Sequence, residues 1–168
     1  EGEGRWRYKT NARDVHQLFG WLQVGEIIHL GSEPRKVAEK WPALGPHPHF
    51  HGTWNGNNTL YLATKDLEVD GLQMALPGGG IFGKTRAPLV LTAEDSNHRT
   101  QWQLPSFFHP NVGQSVLTYH ANLDRWERQG QYTRLRTVSK GQEFVFDDYR
   151  AHEARQWLAS IFNTAEVR

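Results

Sequence analysis

Cysteine is absent from the chain. That removes disulfides, thiolate metal sites and a cysteine nucleophile from consideration. Charge of one sign is also lacking, since 19 Lys and Arg stand against 18 Asp and Glu, a formal net charge of +1. No global field calls for a polyanionic partner, so contact with nucleic acid has to come from a local patch. No apolar run approaches the ~18 residues of a membrane span. No signal-peptide pattern is visible, and the expected compartment is the cytoplasm. The chain opens Glu1-Gly2-Glu3-Gly4 without a methionine, as a processed or partial chain does. Also missing are G-x-S-x-G, P-loop and H-E-x-x-H patterns.

What the chain has is aromatic bulk, with 7 Trp, 8 Phe and 5 Tyr in 168 residues. These offset a modest hydrophobic content of 38% and suffice for one domain, 1–168, with a sizeable core. The expected architecture is α+β: a mixed or mostly antiparallel sheet, drawn as a partly closed barrel, with a C-terminal helix over 148–162. Residues 1–14 read as a basic N-terminal arm, with Arg5, Arg7, Lys9 and Arg13 around Trp6 and Tyr8.

Val15 to Leu30 is dense in β-branched and aromatic residues and reads as one long buried strand, bent near Gly20 or Gly25. Pro34 to Trp41 reads as a short helix, capped by Ser32 or Glu33, with Val37 and Trp41 facing the core. Thr59 to Ala63 is a strand, 65–70 a charged loop, and Pro88 to Thr92 a further strand. Gln101 to Pro110 reads as an aromatic plug that its prolines limit to a turn or short 3₁₀ piece, and Leu123 to Arg128 as a single helical turn. Tyr132 to Val138 alternates, with Arg134 and Arg136 on one face and Thr133, Leu135 and Thr137 on the other. Lys140-Gly141 turns into Glu143 to Phe146 as a hairpin. Ala154, Trp157, Leu158 and Ile161 form the stripe of the C-terminal helix, which Asp147 or Asp148 caps. Gly78, Gly80 and Gly83 match G-x-G-x-x-G, but no helix can open at Lys84-Thr85-Arg86-Ala87-Pro88. Close backbone approach or a positive φ explains these glycines better than a dinucleotide.

The densest concentration of chemistry is His47-Pro48-His49-Phe50-His51, followed by Trp54 and Asn57-Asn58. In an extended chain all three imidazoles project from one face, and Pro48 favours extension of His47. Three uses stay open. His47, His49 and His51 can ligate a metal, with His109, His120 or Asp124 completing the set. The imidazoles can bind a ligand or move a proton, with His47, His49 and His120 as catalytic candidates. They can also be structural. Asn57 and Asn58 suit a turn or the edge of a base. Trp21, Trp54 and Trp102 suit base stacking or the core.

Several stretches in this order carry a resemblance. They are Phe19-Gly20-Trp21-Leu22-Gln23-Val24-Gly25-Glu26, His47-Pro48-His49, Asn57-Asn58-Thr59-Leu60-Tyr61 and Leu76-Pro77-Gly78-Gly79-Gly80-Ile81-Phe82. Trp102-Gln103-Leu104-Pro105, Tyr119-His120, Asp124-Arg125-Trp126 and Gly141-Gln142-Glu143-Phe144-Val145 continue the series. Taken together over about 15–162, the chain resembles the nucleotide-modification-associated domain family, third type. The family occurs in bacteria and phages and is tied by genomic context to DNA base modification. Its N-terminal part, with a Ser-Arg-Lys-Gly-Phe-Asp type motif, is missing from these residues. At fold level the start of the chain is also similar to the small PUA-like and EVE-like barrels that hold modified bases.

The resemblance implies a protein that binds or processes a base or modified base, with nucleic acid or a nucleotide as partner. Trp21, Trp54, Asn57, Asn58 and His109 are then the ligand-binding candidates, and Arg5, Arg7, Arg134 and Arg136 the phosphate contacts. A metal-dependent hydrolase or nuclease on the histidine run, and a non-catalytic subunit, are the alternatives. No cofactor follows from the residues, and neither does the oligomeric state.

Overall fold

The computed structural model describes residues 10–111, 117–137, 144–145 and 152–163. Arg5, Arg7, the Lys140-Gly141 turn and the Asp147/Asp148 cap lie outside them. The chain forms two compact units: Gly20–Ile81, and Phe82–Val167 together with the residues up to Phe19.

The first unit is built from three antiparallel ribbons. β1 (Gly20–Leu22) pairs with β6 (Gly79–Ile81), β2 (Val24–His29) with β3 (Thr59–Ala63), and β4 (Asp66–Val69) with β5 (Leu72–Pro77). Asp70 and Gly71 turn β4 into β5 with φ of 56° and 75°, the two positive values a tight hairpin turn needs. A short helix, α1 (Pro34–Ala38), packs Val37 and Ala38, with the following Trp41, onto buried Ile28, Leu30, Phe50 and Leu60. Phe50 is 2% exposed; full burial of such a side chain stabilises by about 1.5–3 kcal/mol.

Gln23, between β1 and β2, stitches the ribbons together. Its backbone N–H donates to Gly78 O at 2.6 Å, and its carbonyl accepts from Thr64 N at 2.8 Å. Its side-chain amide donates to Glu68 O at 2.6 Å and accepts from Glu68 N at 2.8 Å. The Thr64 hydroxyl donates to the same amide oxygen at 3.1 Å.

The second unit holds a three-stranded antiparallel sheet of β7 (Gln101–Pro105), β8 (Trp126–Gln129) and β9 (Tyr132–Arg136), with β9 central. β9 alternates as its sequence predicts: Thr133, Leu135 and the following Thr137 are buried, while Arg134 and Arg136 take the other face. Leu91, Trp102, Leu104, Phe108, Leu117, Trp126, Leu135 and Ala154 form the core. The C-terminal helix α2 (His152–Asn163) contributes Ala154, Ile161 and Phe162. Trp157 packs edge-on against Phe108 at 5.2 Å.

The α+β class, the mostly antiparallel pairing and the C-terminal helix are as expected; the barrel is not. Among the described residues the strands form four separate small sheets, and none closes. The expected single strand over 15–30 breaks at Gln23, which bonds to Thr64 after β3, to Glu68 in β4 and to Gly78 before β6. Apart from Ile28, β2 is exposed, because a two-stranded ribbon is covered on one face only. The expected loop at 65–70 is largely β4, with Leu67 and Val69 buried. The expected strand at 88–92 is a 3₁₀ turn over Ala87–Leu89 followed by isolated bridges, Pro88 withholding an N–H. The expected helical turn at 123–128 is 3₁₀ only over Leu123–Arg125, then enters β8.

The glycine-rich stretch resolves into close packing. Gly79 and Gly80 sit in β6, and none of Gly78, Gly79 and Gly80 has a positive φ. A Cβ on Gly80 would enter the Trp21 ring, and one on Gly78 would enter the hydroxyl and carbonyl of Thr64. Trp21 cannot simply withdraw, because its indole N–H donates to Pro77 O at 3.0 Å. Gly78→Ala and Gly80→Ala should therefore each cost about 1–3 kcal/mol, the usual range for overpacking. Gly56→Ala, where a Cβ meets nothing within 4 Å, should be near neutral. Chemical denaturation midpoints of the three variants check this ordering.

Candidate functional site

The histidine run is not extended. Pro48–Phe50 is a 3₁₀ turn, with Phe50 N donating to His47 O at 3.0 Å and His51 N to Pro48 O at 2.9 Å. Pro48 explains the turn: it fixes its own φ, needs no amide partner at a first helical position, and keeps His47 extended at φ −65°, ψ 134°. The turn also drives Phe50 into the core. The three imidazoles consequently leave the common face that strand alternation predicts.

Each imidazole makes its own bond. His47 Nδ1 accepts from His49 N at 3.2 Å, capping the turn. His49 Nδ1 meets Asn58 Oδ1 at 2.7 Å, and Asn58 Nδ2 donates back to His49 O at 3.0 Å. Because the amide nitrogen of Asn58 faces a carbonyl, its oxygen is the acceptor and His49 Nδ1 the donor. Neutral His49 therefore keeps its lone pair on Nε2. Neutral His47, accepting at Nδ1, carries its proton on Nε2. His51 Nε2 donates to Gly45 O at 2.8 Å. As bonded here, only His49 and His51 have a free lone pair, fewer than the three or four ligands zinc takes. Among the described residues no three His, Asp or Glu side chains are grouped to hold a metal ion.

Trp54 completes the cluster. Its ring stacks on His49 with centroids 4.4 Å apart and planes at 26°, and its indole N–H donates to His51 O at 2.5 Å. His47 meets His49 edge-on at 5.2 Å. Asn58 anchors the whole loop. It is 4% exposed, and its carbonyl accepts from Leu30 N at 2.9 Å and Gly31 N at 3.0 Å. His47 is exposed, and His49 and Trp54 are half-buried. Asn57 is exposed and makes only a local turn, its N–H donating to Asn55 Oδ1 at 3.0 Å. Trp21 lies on the β1–β6 ribbon.

The remaining candidates belong to the second unit. His109 and His120 are 6% and 2% exposed. His109 accepts from Asn111 N at 3.1 Å and lies edge-on to Trp126 at 5.9 Å. His120 packs on Trp102 at 5.5 Å, and its carbonyl accepts from Trp126 Nε1 at 2.7 Å. A residue not singled out from sequence joins them: His16 accepts from Trp102 Nε1 at 2.9 Å. Nothing in its polar neighbourhood signals a partner 86 positions away. Trp102, 1% exposed, is core.

Arg134 grips Asp95 with one guanidinium nitrogen at 2.7 and 2.6 Å from the two carboxylate oxygens, and Gln129 through Nε at 2.9 Å. The bond to Arg134 holds the Asp95 carboxyl below its ordinary value and raises the guanidinium in return. Arg136 is exposed. The groove beside them, about 450 Å³, sets Asp95, Asp124 and Glu127 against Arg125, Arg134 and Arg136.

The family model described as nucleotide modification associated domain 3 matches residues 3–147. The chain belongs to that family. No curated protein and no solved structure matches it. No helix among the described residues is long and apolar enough to cross a membrane.

Two outcomes follow. Burial first, and then Arg99, Arg128 and Arg125 respectively, push His16, His109 and His120 below the ordinary 6.5. The unfolded chain therefore binds protons that the folded one refuses. Their contribution to stability is complete above about pH 6.5 and is lost as pH falls through the folded values. Denaturation midpoints should drop from about pH 7.5 to about 5.5, and His120→Leu should flatten that drop. Separately, Asn58→Ala should cost about 1–3 kcal/mol, because it strands buried bonding groups. It should also release His49 to mixed tautomers, which ¹⁵N spectra of the imidazole rings would show.

Proposed function

We propose that the His47–Asn58 loop is the base-contacting surface of this nucleotide-modification domain. The observation that carries the reading is His49, held in one tautomer by Asn58 and stacked on Trp54. Unpaired or flipped bases are bound by aromatic stacking combined with hydrogen bonds to their edges. This loop supplies both. The indole and imidazole planes form a preset stacking surface. His49 Nε2 offers an acceptor and His47 Nε2–H a donor, and Asn57 adds an exposed amide at the rim.

In this reading His49 is also the group placed to take a proton, since its free nitrogen is the basic one. Arg136, Arg5 and Arg7, which belong to the other unit, remain proposed phosphate contacts. Arg134 is a weaker candidate, because its best donors are already spent on Asp95. Trp21 and His109 take structural roles, and the cytoplasm is the compartment. The metal-hydrolase alternative loses support from the tautomers, which leave too few free lone pairs on the loop.

The test is titration calorimetry with nucleosides and short single strands carrying ordinary and modified bases. Trp54→Leu and His49→Ala should each weaken binding about tenfold or more, in line with ~1–3 kcal/mol per stacked base. Trp21→Leu should not. Parent-like affinity in both loop variants would move the base elsewhere. Turnover of the bound base, abolished in His49→Gln, would make the domain an enzyme; binding without turnover would make it a reader.

A further inference from the structure

The loop borders a concavity of about 450 Å³ lined by Ser32, Arg35, Lys36, Gly52 and Thr53 among others. That volume lies within the range of small-ligand sites. It shares a wall with the aromatic stack. Thr53 directly precedes Trp54, and a Cβ built on Gly52 would lie 4.0 Å from the Trp54 indole nitrogen. Gly52 holds φ at 84°, a value that favours glycine, so the wall carries no side chain at that position.

The lining has the chemistry of an anion seat. Arg35 is exposed and makes no ion pair among the described residues. Its planar fork matches phosphate oxygens two at a time. Lys36 pairs with Glu33 at 2.7 Å, an exposed bond that an entering anion can exchange at little cost. Ser32 and Thr53 add hydroxyl donors. The two cations face one carboxylate here, whereas three carboxylates balance three arginines in the groove beside Arg134.

We propose that this concavity seats the phosphate of the nucleotide whose base lies against Trp54 and His49. The inference rests on the base-contacting reading above. It adds that the ligand is phosphate-bearing, and that Arg35, Ser32 and Thr53 hold the phosphate. A mononucleotide and a nucleic-acid strand both present this chemistry.

The test compares the four deoxynucleosides, their 5′-monophosphates, a single-stranded oligonucleotide and inorganic pyrophosphate by calorimetry. The monophosphates or the oligonucleotide should bind about tenfold tighter than the nucleosides, the gain expected of charge-assisted bonds. Arg35→Gln should erase that gain while leaving nucleoside affinity unchanged. Thr53→Val should erase part of it. Preference for the monophosphate marks a free nucleotide as the source, and preference for the oligonucleotide marks a strand. If nucleosides bind and phosphate adds nothing, or adds something that Arg35→Gln does not touch, the seat is overturned and the base reading stands. If nothing bearing a base binds, the base reading falls. Arg35-dependent pyrophosphate binding would then keep the seat, and its absence would overturn it as well.

Discussion

Gln23 is the constraint on which the first unit depends. A two-stranded ribbon is marginal by itself in water, and this unit contains three of them. The side-chain amide of Gln23 meets Glu68 as a peptide group would, giving and taking one hydrogen bond each. In effect β4 gains one residue of a neighbouring strand, supplied by a side chain. The Gln23 backbone serves the other two ribbons in the same stretch of chain. The buried apolar cluster of this unit is small, Ile28, Leu30, Phe50 and Leu60, and the polar stitching adds to what that cluster holds together.

Asn58 plays the parallel role for the loop. A long loop stays ordered when its backbone groups find partners, and Asn58 provides them from both its main chain and its side chain. The same residue decides which nitrogen of His49 is basic. A structural anchor and a chemical setting thus reside in one buried amide. The histidines of the second unit show the opposite use of imidazole. There His16, His109 and His120 serve as aromatic packing around Trp102 and Trp126, and burial suppresses their charge.

Much of this was readable in the sequence where the signal is local. The alternation in β9, the stripe of α2 and proline at the start of α1 each act within a few residues, and each appears in the structure. The histidine loop was marked by composition and indeed draws His49, Trp54 and Asn58 together. Its conformation was not legible, because Pro48 is compatible with both a strand and the start of a 3₁₀ turn, and burial of Phe50 selects the turn. The breaks between ribbons were hidden for another reason. Gln23 looks like any polar residue in a strand until its distant partners, Thr64, Glu68 and Gly78, are in place. The glycines announced close approach but not what approaches, since the Trp21 ring comes from far back along the chain. His16 was missed on the same ground.

The Phe82 N–H donates to Phe19 O at 2.8 Å, so the chain leaves the second unit and re-enters it at adjacent points. Everything between, Gly20–Ile81, is a single excursion, closed by this bond and by the β1–β6 pairing that continues from it. Modules attached in this way can be lengthened, exchanged or lost without rerouting the host, because the ends to be joined stay next to each other. The proposed base-contacting loop and the proposed phosphate seat both lie within this excursion. Variation in what is recognised can then accumulate in one cassette, while the tryptophan-centred unit keeps a constant frame.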